Sequence, residues 1–566
     1  MATMSGARLF AEMLHGYGVT HVFHVPTILM DVLAELDDLG VSKIMTHGEK
    51  AAAYMADGYA RASGRPGVCM AQQIGASNLA AGLRDGFMAG SPIVAVTGGS
   101  NIQSRYRHAY QEVEDFSQFE ALTKVNLQVD DLARLPDLLR QAFRAATSGA
   151  PGPVHLRLRG LHGDITESST DLKPHVEKQF AAIPPFRPAP EIELVRKAVE
   201  LLAKARKPII VAGGGVVSSQ AQAELVAFAG KMQIPVATSL NAKGAILDAN
   251  PLSVGVAGVY SRACANRAVS EADLVFFIGS HTGGQVTVNW KIPASGTQVI
   301  QLDIDAHELG RNYPNTLSLF GDAKVALKMM IDAAPGVPPA TTKAWVARVG
   351  ELVAEWRGQA EPMRNSSATP LRPERLCKEI SEALPADGVV VSDTGHSGMW
   401  TGQMIDVTTA GQRYIRCAGS LGWGLPGAMG VKCALPKRPV VLFTGDGGLY
   451  YHLAELETAA RFGIDLVIVV NDNSSLNQEI PLVADAYKGK PGRRPDEIWR
   501  FQKSVDLSRV AEELGCKGFR ITRPGELKDL LPRALALGKP VLIDAVCDEN
   551  ALAPKAWVPP GGAGGR

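Results

Sequence analysis

Three consecutive doubly wound α/β domains, each built on a parallel sheet, are predicted by three observations. The chain has 566 residues, about 3.8 domains at roughly 150 residues each. Short apolar runs alternate with stretches that are apolar at helical spacing, the pattern of a parallel sheet covered on both faces. Two polar, Pro-rich stretches interrupt that alternation, residues 165–190 and GVPPATTK from Gly336, and read as connectors.

The first unit, residues 1–165, has strand-like runs at Gly18–Val25, Val41–Thr46, Pro66–Gln72, Pro92–Thr97 and Pro153–Leu158, with helices predicted over Glu49–Ala62 and Ser77–Met88. The second unit, 185–335, opens with a strand at Pro208–Ala212, runs into Gly213–Gly215 and a helix to about Lys231, and continues with strands at Ile234–Thr238, Leu274–Ile278 and Gln298–Ile304. The third unit, 371–550, carries apolar runs at Gly388–Val391, Val440–Thr444, Leu466–Val470 and Pro540–Val546. Residues 551–566, ending in GGAGGR, are expected to form a flexible tail.

Composition narrows the function class. Apolar residues make up 46% and charged residues 20%, which is globular and not disordered. The formal charge is 58 − 57 = +1, so no overall field gathers nucleic acid or anionic membrane, and neither is expected as a partner. The seven cysteines are dispersed with no CxxC pair, arguing against a disulfide framework or a zinc site and for a reducing compartment. The N-terminal residues lack a signal-peptide core and no apolar run has membrane-spanning length. A cytoplasmic location is expected.

The most informative segment is Pro439–Glu479. The strand Val440–Thr444 ends in Gly445-Asp446-Gly447-Gly448, and the strand Leu466–Val470 ends in Asn471-Asp472-Asn473-Ser474-Ser475. A strand–helix–strand crossover brings the two strand ends together. Asp446 and Asn473 then face one crevice, where α/β sheets bind ligands. A hard cation such as Mg²⁺ takes one carboxylate, one amide oxygen, a carbonyl and phosphate oxygens.

Gly-Asp-Gly followed about 25–30 residues later by Asn resembles the signature of thiamine-diphosphate-dependent enzymes. The resemblance implies thiamine diphosphate and Mg²⁺ as cofactors, with Asp446, Asn473 and the Ser475 carbonyl as metal ligands and Gly445, Gly447 and Gly448 against the diphosphate. It makes the three units a pyrimidine-binding, a middle and a diphosphate-binding domain. The segment THGEKAAAYMADGYARASGRPGV is similar to the family's pyrimidine-domain signature, and implies that Glu49 drives deprotonation through the cofactor's aminopyrimidine. Ser392–Trp400 resembles the family's Asp-Val-Gly-Gln-His-Gln-Met-Trp and makes Gly395, His396 and Ser397 diphosphate contacts, with the His shifted by one place. Gly419–Gly424 resembles the segment that supports the bent cofactor, with Leu421 wedged between its rings.

Other positions bear on the substrate. Ala109-Tyr110-Gln111-Glu112 followed by Thr123-Lys124 resembles acetolactate synthases, placing Gln111 beside the reacting carbon; Tyr110 is expected in the core. Gln73 and Ile74 stand where the family often has Gly-Pro, and either border the reacting carbon or pack locally. Leu29 occupies the place where related lyases carry a His. Proton transfer is left to the cofactor's amino group, Gln111 or Glu479, the last lying six residues beyond Asn473. The basic run Lys488–Arg494 reads as a solvated loop, a lid, or a grip on a phosphorylated substrate.

In the middle domain the likeness to acetolactate synthases, which hold a structural FAD there, runs through Ala242–Ala245 and Asp303–Asp305. It fails at Thr282-Gly283-Gly284-Gln285, where they have Phe-Asp-Asp-Arg. Loss of that Arg removes a phosphate partner, so colourless protein is expected, with FAD or an adenine nucleotide left as candidate ligands. Overall the resemblance covers about residues 5–550 and implies a carbon–carbon lyase or carboligase. The leading expectation is decarboxylation of a 2-oxo acid and addition of the enamine to an acceptor carbonyl. The alternatives are a 2-hydroxyacyl-CoA lyase or oxalyl-CoA decarboxylase, and a flavin-dependent oxidoreductase. The substrate is thus a small 2-oxo acid, aldehyde or acyl-CoA. The resemblance implies a homodimer at the least, with a homotetramer expected, because Glu49 and the metal motif meet across subunits.

Overall fold

The computed structural model describes residues 3–336, 342–490, 493–503 and 505–560. Three six-stranded sheets, each wholly parallel and flanked by helices, follow one another along the chain. In the N-terminal domain the strand order is Ser42–Met45, His21–His24, Gly67–Ala71, Ile93–Gly99, Pro153–Arg159, Asn126–Val129. In the middle domain it is Ser253–Val256, Val236–Thr238, Pro208–Ala212, Leu274–Ile278, Gln298–Asp303, Leu317–Phe320. In the C-terminal domain it is Arg413–Arg416, Val389–Ser392, Val440–Gly445, Val467–Asp472, Val541–Val546, Lys517–Ile521.

Every strand absent from the sequence-based reading of these sheets lies at a sheet edge: Asn126–Val129, Ser253–Val256, Leu317–Phe320, Arg413–Arg416 and Lys517–Ile521. Edge strands such as RYIR and KGFRI each carry two basic residues three apart, one on each face, and so lack the continuous apolar run of a central strand.

The N-terminal domain docks on the C-terminal domain through two helices. Glu49–Ser63 and Gly424–Ala434 approach so closely that a Cβ at Gly58 would stand 2.0 Å from the Gly427 carbonyl oxygen, and one at Gly430 2.0 Å from that of Met55. Their apolar faces share one core, in which Ala53 and Met55 join Trp423, Ala428 and Met429. A second core joins the middle domain, through Phe277 and Val299, to Trp400 and Met404 of the C-terminal domain.

The expected flexible tail is seated over its described part. The carbonyl of Ala551 accepts from Asn477 Nδ2 at 3.0 Å and that of Trp557 from Asn266 Nδ2 at 3.0 Å. Residues 561–566 lie outside the described residues.

Candidate active site

The adjacent strands Val440–Gly445 and Val467–Asp472 run in parallel, with Gly445 opposite Asn471. Asp446 and Asn473 therefore leave the sheet at the same end. Asp446 is buried. One carboxylate oxygen accepts the Gly447 amide at 2.7 Å, and the other reaches across to the Ser475 amide at 3.0 Å. Asn473 Oδ1 accepts the Ser475 hydroxyl at 2.8 Å. The turn closes through Ser474, with φ +54° and its amide donating to Asp472 at 3.0 Å.

Burial, and then the neighbouring charge of Asp472, push the Asp446 carboxyl well above the usual carboxylate range. Two buried carboxyls side by side, with an amide oxygen and a main-chain carbonyl adjacent, form an all-oxygen set that a hard divalent cation fits. Among the described residues no three His, Cys, Asp or Glu side chains form a metal-binding group; the side-chain oxygens at this point come from carboxylates and the Asn473 amide.

The glycines of the motif answer mainly to protein packing. A Cβ at Gly447 would stand 2.5 Å from the Leu476 side chain, and one at Gly448 2.7 Å from Thr444 Oγ1 and 2.9 Å from the Asp393 carboxylate. At Gly445 the nearest side-chain atom would be Ser397 Oγ at 3.7 Å, so this position faces the loop that carries Gly395, His396 and Ser397. Gly395 has φ +62° and starts the helix His396–Met404.

Asp393, not singled out from the sequence, ties these loops together. Its buried carboxylate accepts the amides of Thr394 at 2.7 Å, Gly422 at 3.2 Å and Gly424 at 3.0 Å, and the Thr444 hydroxyl at 3.3 Å. Burial pushes its carboxyl up to about 6 against the pull of those amides.

A second unforeseen carboxylate, Asp85 of the N-terminal domain, accepts the amides of Ala418, Gly419 and Ser420 at 2.8, 3.0 and 2.9 Å. It also pairs with Arg61 at 2.6 Å. Burial opposes the Asp85 charge, but Arg61 and the amides hold its carboxyl below the ordinary range. Asp57 accepts Trp423 Nε1 at 2.8 Å and completes the link. Leu421, carried by this loop, is half-buried and outside the core clusters. Gly422, at φ +89°, fits because a Cβ would strike Tyr451 Cβ at 2.4 Å.

Glu49 is the first residue of the helix Glu49–Ser63, where the helix dipole favours a carboxylate. It is half-buried, and its Oε2 accepts Asn78 Nδ2 at 3.2 Å. A side chain at Gly75 would collide with it, since a Cβ there would lie 2.3 Å from Oε1. Among the described residues Glu49 makes no hydrogen bond to the Asp446–Asn473 cluster of its own chain.

Gln111 stands with φ +62° on the loop after Ile93–Gly99. Gln73 packs locally and holds that loop: it is buried, and its Nε2 donates to Ser100 Oγ at 3.0 Å and to the Val113 carbonyl at 2.7 Å. Ile74 points outward. Tyr110, expected in the core, is 81% exposed, as are Ile102, Tyr106 and Val113 in lesser or similar degree. Glu479 is half-buried and closes the turn Asn477–Glu479. Leu29 is buried, and His24, likewise buried, is pushed down to about 4, chiefly by burial. Of the basic run, Lys488 ends the helix Ile480–Tyr487 and Arg494 pairs with Glu497 at 3.0 Å; Pro491 and Gly492 lie outside the described residues.

A cavity of about 310 Å³ lies against the middle domain, lined by Gly213–Gly215, His281, Asp303 and Arg416. Gly213 and Gly215 are there for close backbone packing, since Cβ atoms would meet Gly279 at 2.1 and 2.7 Å. Burial raises the Asp303 carboxyl to about 6. No helix among the described residues is long and apolar enough to cross a membrane.

Comparison with known proteins agrees with this layout. Family models of the thiamine pyrophosphate enzymes match in order: the N-terminal TPP binding domain over residues 4–119, the central domain over 195–330, and the C-terminal TPP binding domain over 393–545. The chain is 32% identical over 571 residues to a probable acetolactate synthase large subunit of Methanocaldococcus jannaschii, covering 99% of this chain and 94% of the relative. It is 32% identical over 564 residues to the acetolactate synthase isozyme 2 large subunit of Escherichia coli, covering 99% and 98%. It is 28% identical over 557 residues to the acetolactate synthase large subunit of Lactococcus lactis, covering 96% and 93%.

Proposed function

The chain belongs to the thiamine pyrophosphate-dependent enzymes, and from that membership we propose that it decarboxylates a 2-oxo acid and joins the remaining acyl carbon to an acceptor carbonyl, in the manner of an acetolactate synthase. The observation that carries the reading is end-to-end similarity to acetolactate synthase large subunits in a chain whose Asp446 and Asn473 share one buried, all-oxygen site.

Thiamine diphosphate, when bound, supplies the carbon nucleophile and the electron sink for decarboxylation. The chain's residues supply the rest. Asp446, Asn473 and the Ser475 carbonyl would hold Mg²⁺, a hard cation whose charge would offset the buried carboxylates of Asp446 and Asp472. Gly395, His396, Ser397 and Gly445 would line the diphosphate, Gly447 and Gly448 would offer it only main-chain amides because their Cβ sides pack on Leu476, Thr444 and Asp393, and Leu421 would support the cofactor on a loop held by Asp85 and Asp393. Glu49 hydrogen-bonds the aminopyrimidine and so places the proton that must leave the reacting carbon. Gln111 and Glu479 face the substrates.

Glu49 makes no hydrogen bond to the Asp446–Asn473 cluster of its own chain among the described residues, its one side-chain bond being from Asn78 to Oε2, and the loop bearing Gln111 presents Ile102, Tyr106, Tyr110 and Val113 to solvent. Both features support a homodimer that pairs Glu49 of one subunit with Asp446 of the other; a homotetramer in the cytoplasm is the assembly and location we propose. The cavity at Gly213–Gly215 is the place where an adenine nucleotide or FAD would sit; among its described lining Arg416 and His281 are the basic side chains, which disfavours either diphosphate, and colourless purified protein is expected.

The test is product analysis by mass spectrometry with Mg²⁺ and thiamine diphosphate. Pyruvate and other 2-oxo acids are offered with acceptor carbonyls, and 2-hydroxyacyl-CoAs in parallel. Carbon dioxide and a 2-hydroxy-3-oxo acid are expected; carbon–carbon cleavage of the 2-hydroxyacyl-CoAs to an aldehyde and formyl-CoA, with no turnover of 2-oxo acids, would assign the chain to the lyase alternative.

A further inference from the structure

His396 opens its helix with ring nitrogen Nδ1 2.8 Å from Oδ1 of Asn477. Asn477 is buried, and its amide nitrogen donates to two carbonyls of the C-terminal segment, those of Glu549 and Ala551, both at 3.0 Å. Those bonds fix which end of the amide is which, because a rotated amide would set its oxygen against two carbonyl oxygens. The oxygen turned to the ring can only accept, so Nδ1 carries the proton. A neutral ring then has a bare lone pair at Nε2, the nitrogen left for a ligand. A lone pair repels a diphosphate oxygen.

We infer that Asn477 is a positioning residue that keeps the His396 proton on Nδ1, so that His396 grips an anionic diphosphate only after Nε2 takes up one proton from solvent. No other bond changes. The inference rests on the proposed placement of the cofactor's diphosphate at residues 395–397. Burial and the Asn477 bond are what act on the ring, and the charged groups of the elements packed beside it are Asp393, Glu549 and Glu479. Asp393, on the same loop, is spent on amides. Glu549, from the C-terminal segment, is paired with Arg500 at 2.6 Å and Lys503 at 3.0 Å. Glu479 lies two residues beyond Asn477 on its turn, and Trp400 is the aromatic neighbour, 6.2 Å between ring centroids. Burial holds the imidazole below its ordinary value, against the opposing effect of the Asn477 bond. The empty ring is therefore neutral near pH 7.5.

Gln, the residue at this step of the family pattern, donates from its amide at any pH, which makes His396→Gln the informative variant. Thiamine diphosphate is titrated calorimetrically into Mg²⁺-containing protein at about pH 7.5, in buffers of different ionisation enthalpy, to count protons. The native protein is expected to take up about one proton more than His396→Gln, with both binding the cofactor. Asn477→Ala, whose ring is free to carry its proton on Nε2, is expected to fall toward the count of His396→Gln. Equal counts in native protein and His396→Gln, with binding intact, would overturn the inference alone. Absence of binding in the native protein would overturn the placement of the diphosphate, and the inference with it. Independently of any cofactor, ¹⁵N spectra of the histidine rings should show His396 protonated at Nδ1; an Nε2–H tautomer would refute it.

Discussion

Asp85→Asn tests how the loop at residues 418–420, proposed to lie under the cofactor, is held. The native carboxylate accepts three consecutive amides, from Ala418, Gly419 and Ser420, and a guanidinium. Hydrogen bonds to a charged, buried acceptor contribute about 1.5–3 kcal/mol each, and breaking one partner of a buried ion pair costs about 3–5 kcal/mol. The substituted amide keeps one oxygen, and Arg61 keeps Asp57, so the loss sits at the low end, about 3 kcal/mol. That corresponds to roughly a hundredfold faster local opening. Hydrogen–deuterium exchange read on a peptide covering 417–424 should accelerate by about two orders of magnitude, while a peptide from the strand Val440–Gly445 should not change. Unchanged exchange at 418–420 would refute the claim that Asp85 holds this loop.

Glu49→Gln should lower kcat by about 10²–10⁴-fold while a fluorescence titration shows thiamine diphosphate affinity nearly unaltered. Asp446 gives a pH dependence with a definite sign. Burial raises its carboxyl, so a cation would have to displace a proton there, and Mg²⁺ affinity should fall about tenfold per pH unit as the pH drops below that raised value; calorimetric titrations at several pH values check it, and Asp446→Ala should lose cofactor retention. Gly58→Ala forces a methyl against the Gly427 carbonyl and should cost about 1–3 kcal/mol or more, seen as a lowered thermal midpoint.

The central parts of this architecture are legible in sequence because their signals are local. Strands such as Val440–Gly445 and Val467–Asp472 are buried along nearly their whole length, so they read as unbroken apolar runs, and the turns that follow them carry Asp446 and Asn473, the proposed metal ligands. Edge strands give no such run. Asp85 and Asp393 are invisible for a different reason. Their partners are main-chain amides, which leave no trace in residue identity, and those of Asp85 lie more than 330 residues away. Gln73 could be flagged as a departure from the family pattern, but only the fold shows its amide turned inward to Ser100 and Val113. Tyr110 misleads because an aromatic residue near a site reads as core, whereas here it projects from a loop.

Carbon–carbon bond formation is the claim on which the account stands. Pyruvate labelled with ¹³C at its carbonyl carbon, incubated with the protein, Mg²⁺ and thiamine diphosphate, should yield a product whose NMR spectrum shows a new one-bond ¹³C–¹³C coupling, absent without cofactor and with Glu49→Gln. Release of labelled acetaldehyde with no coupled product, or no turnover of any 2-oxo acid under conditions where thiamine diphosphate is bound, would contradict it.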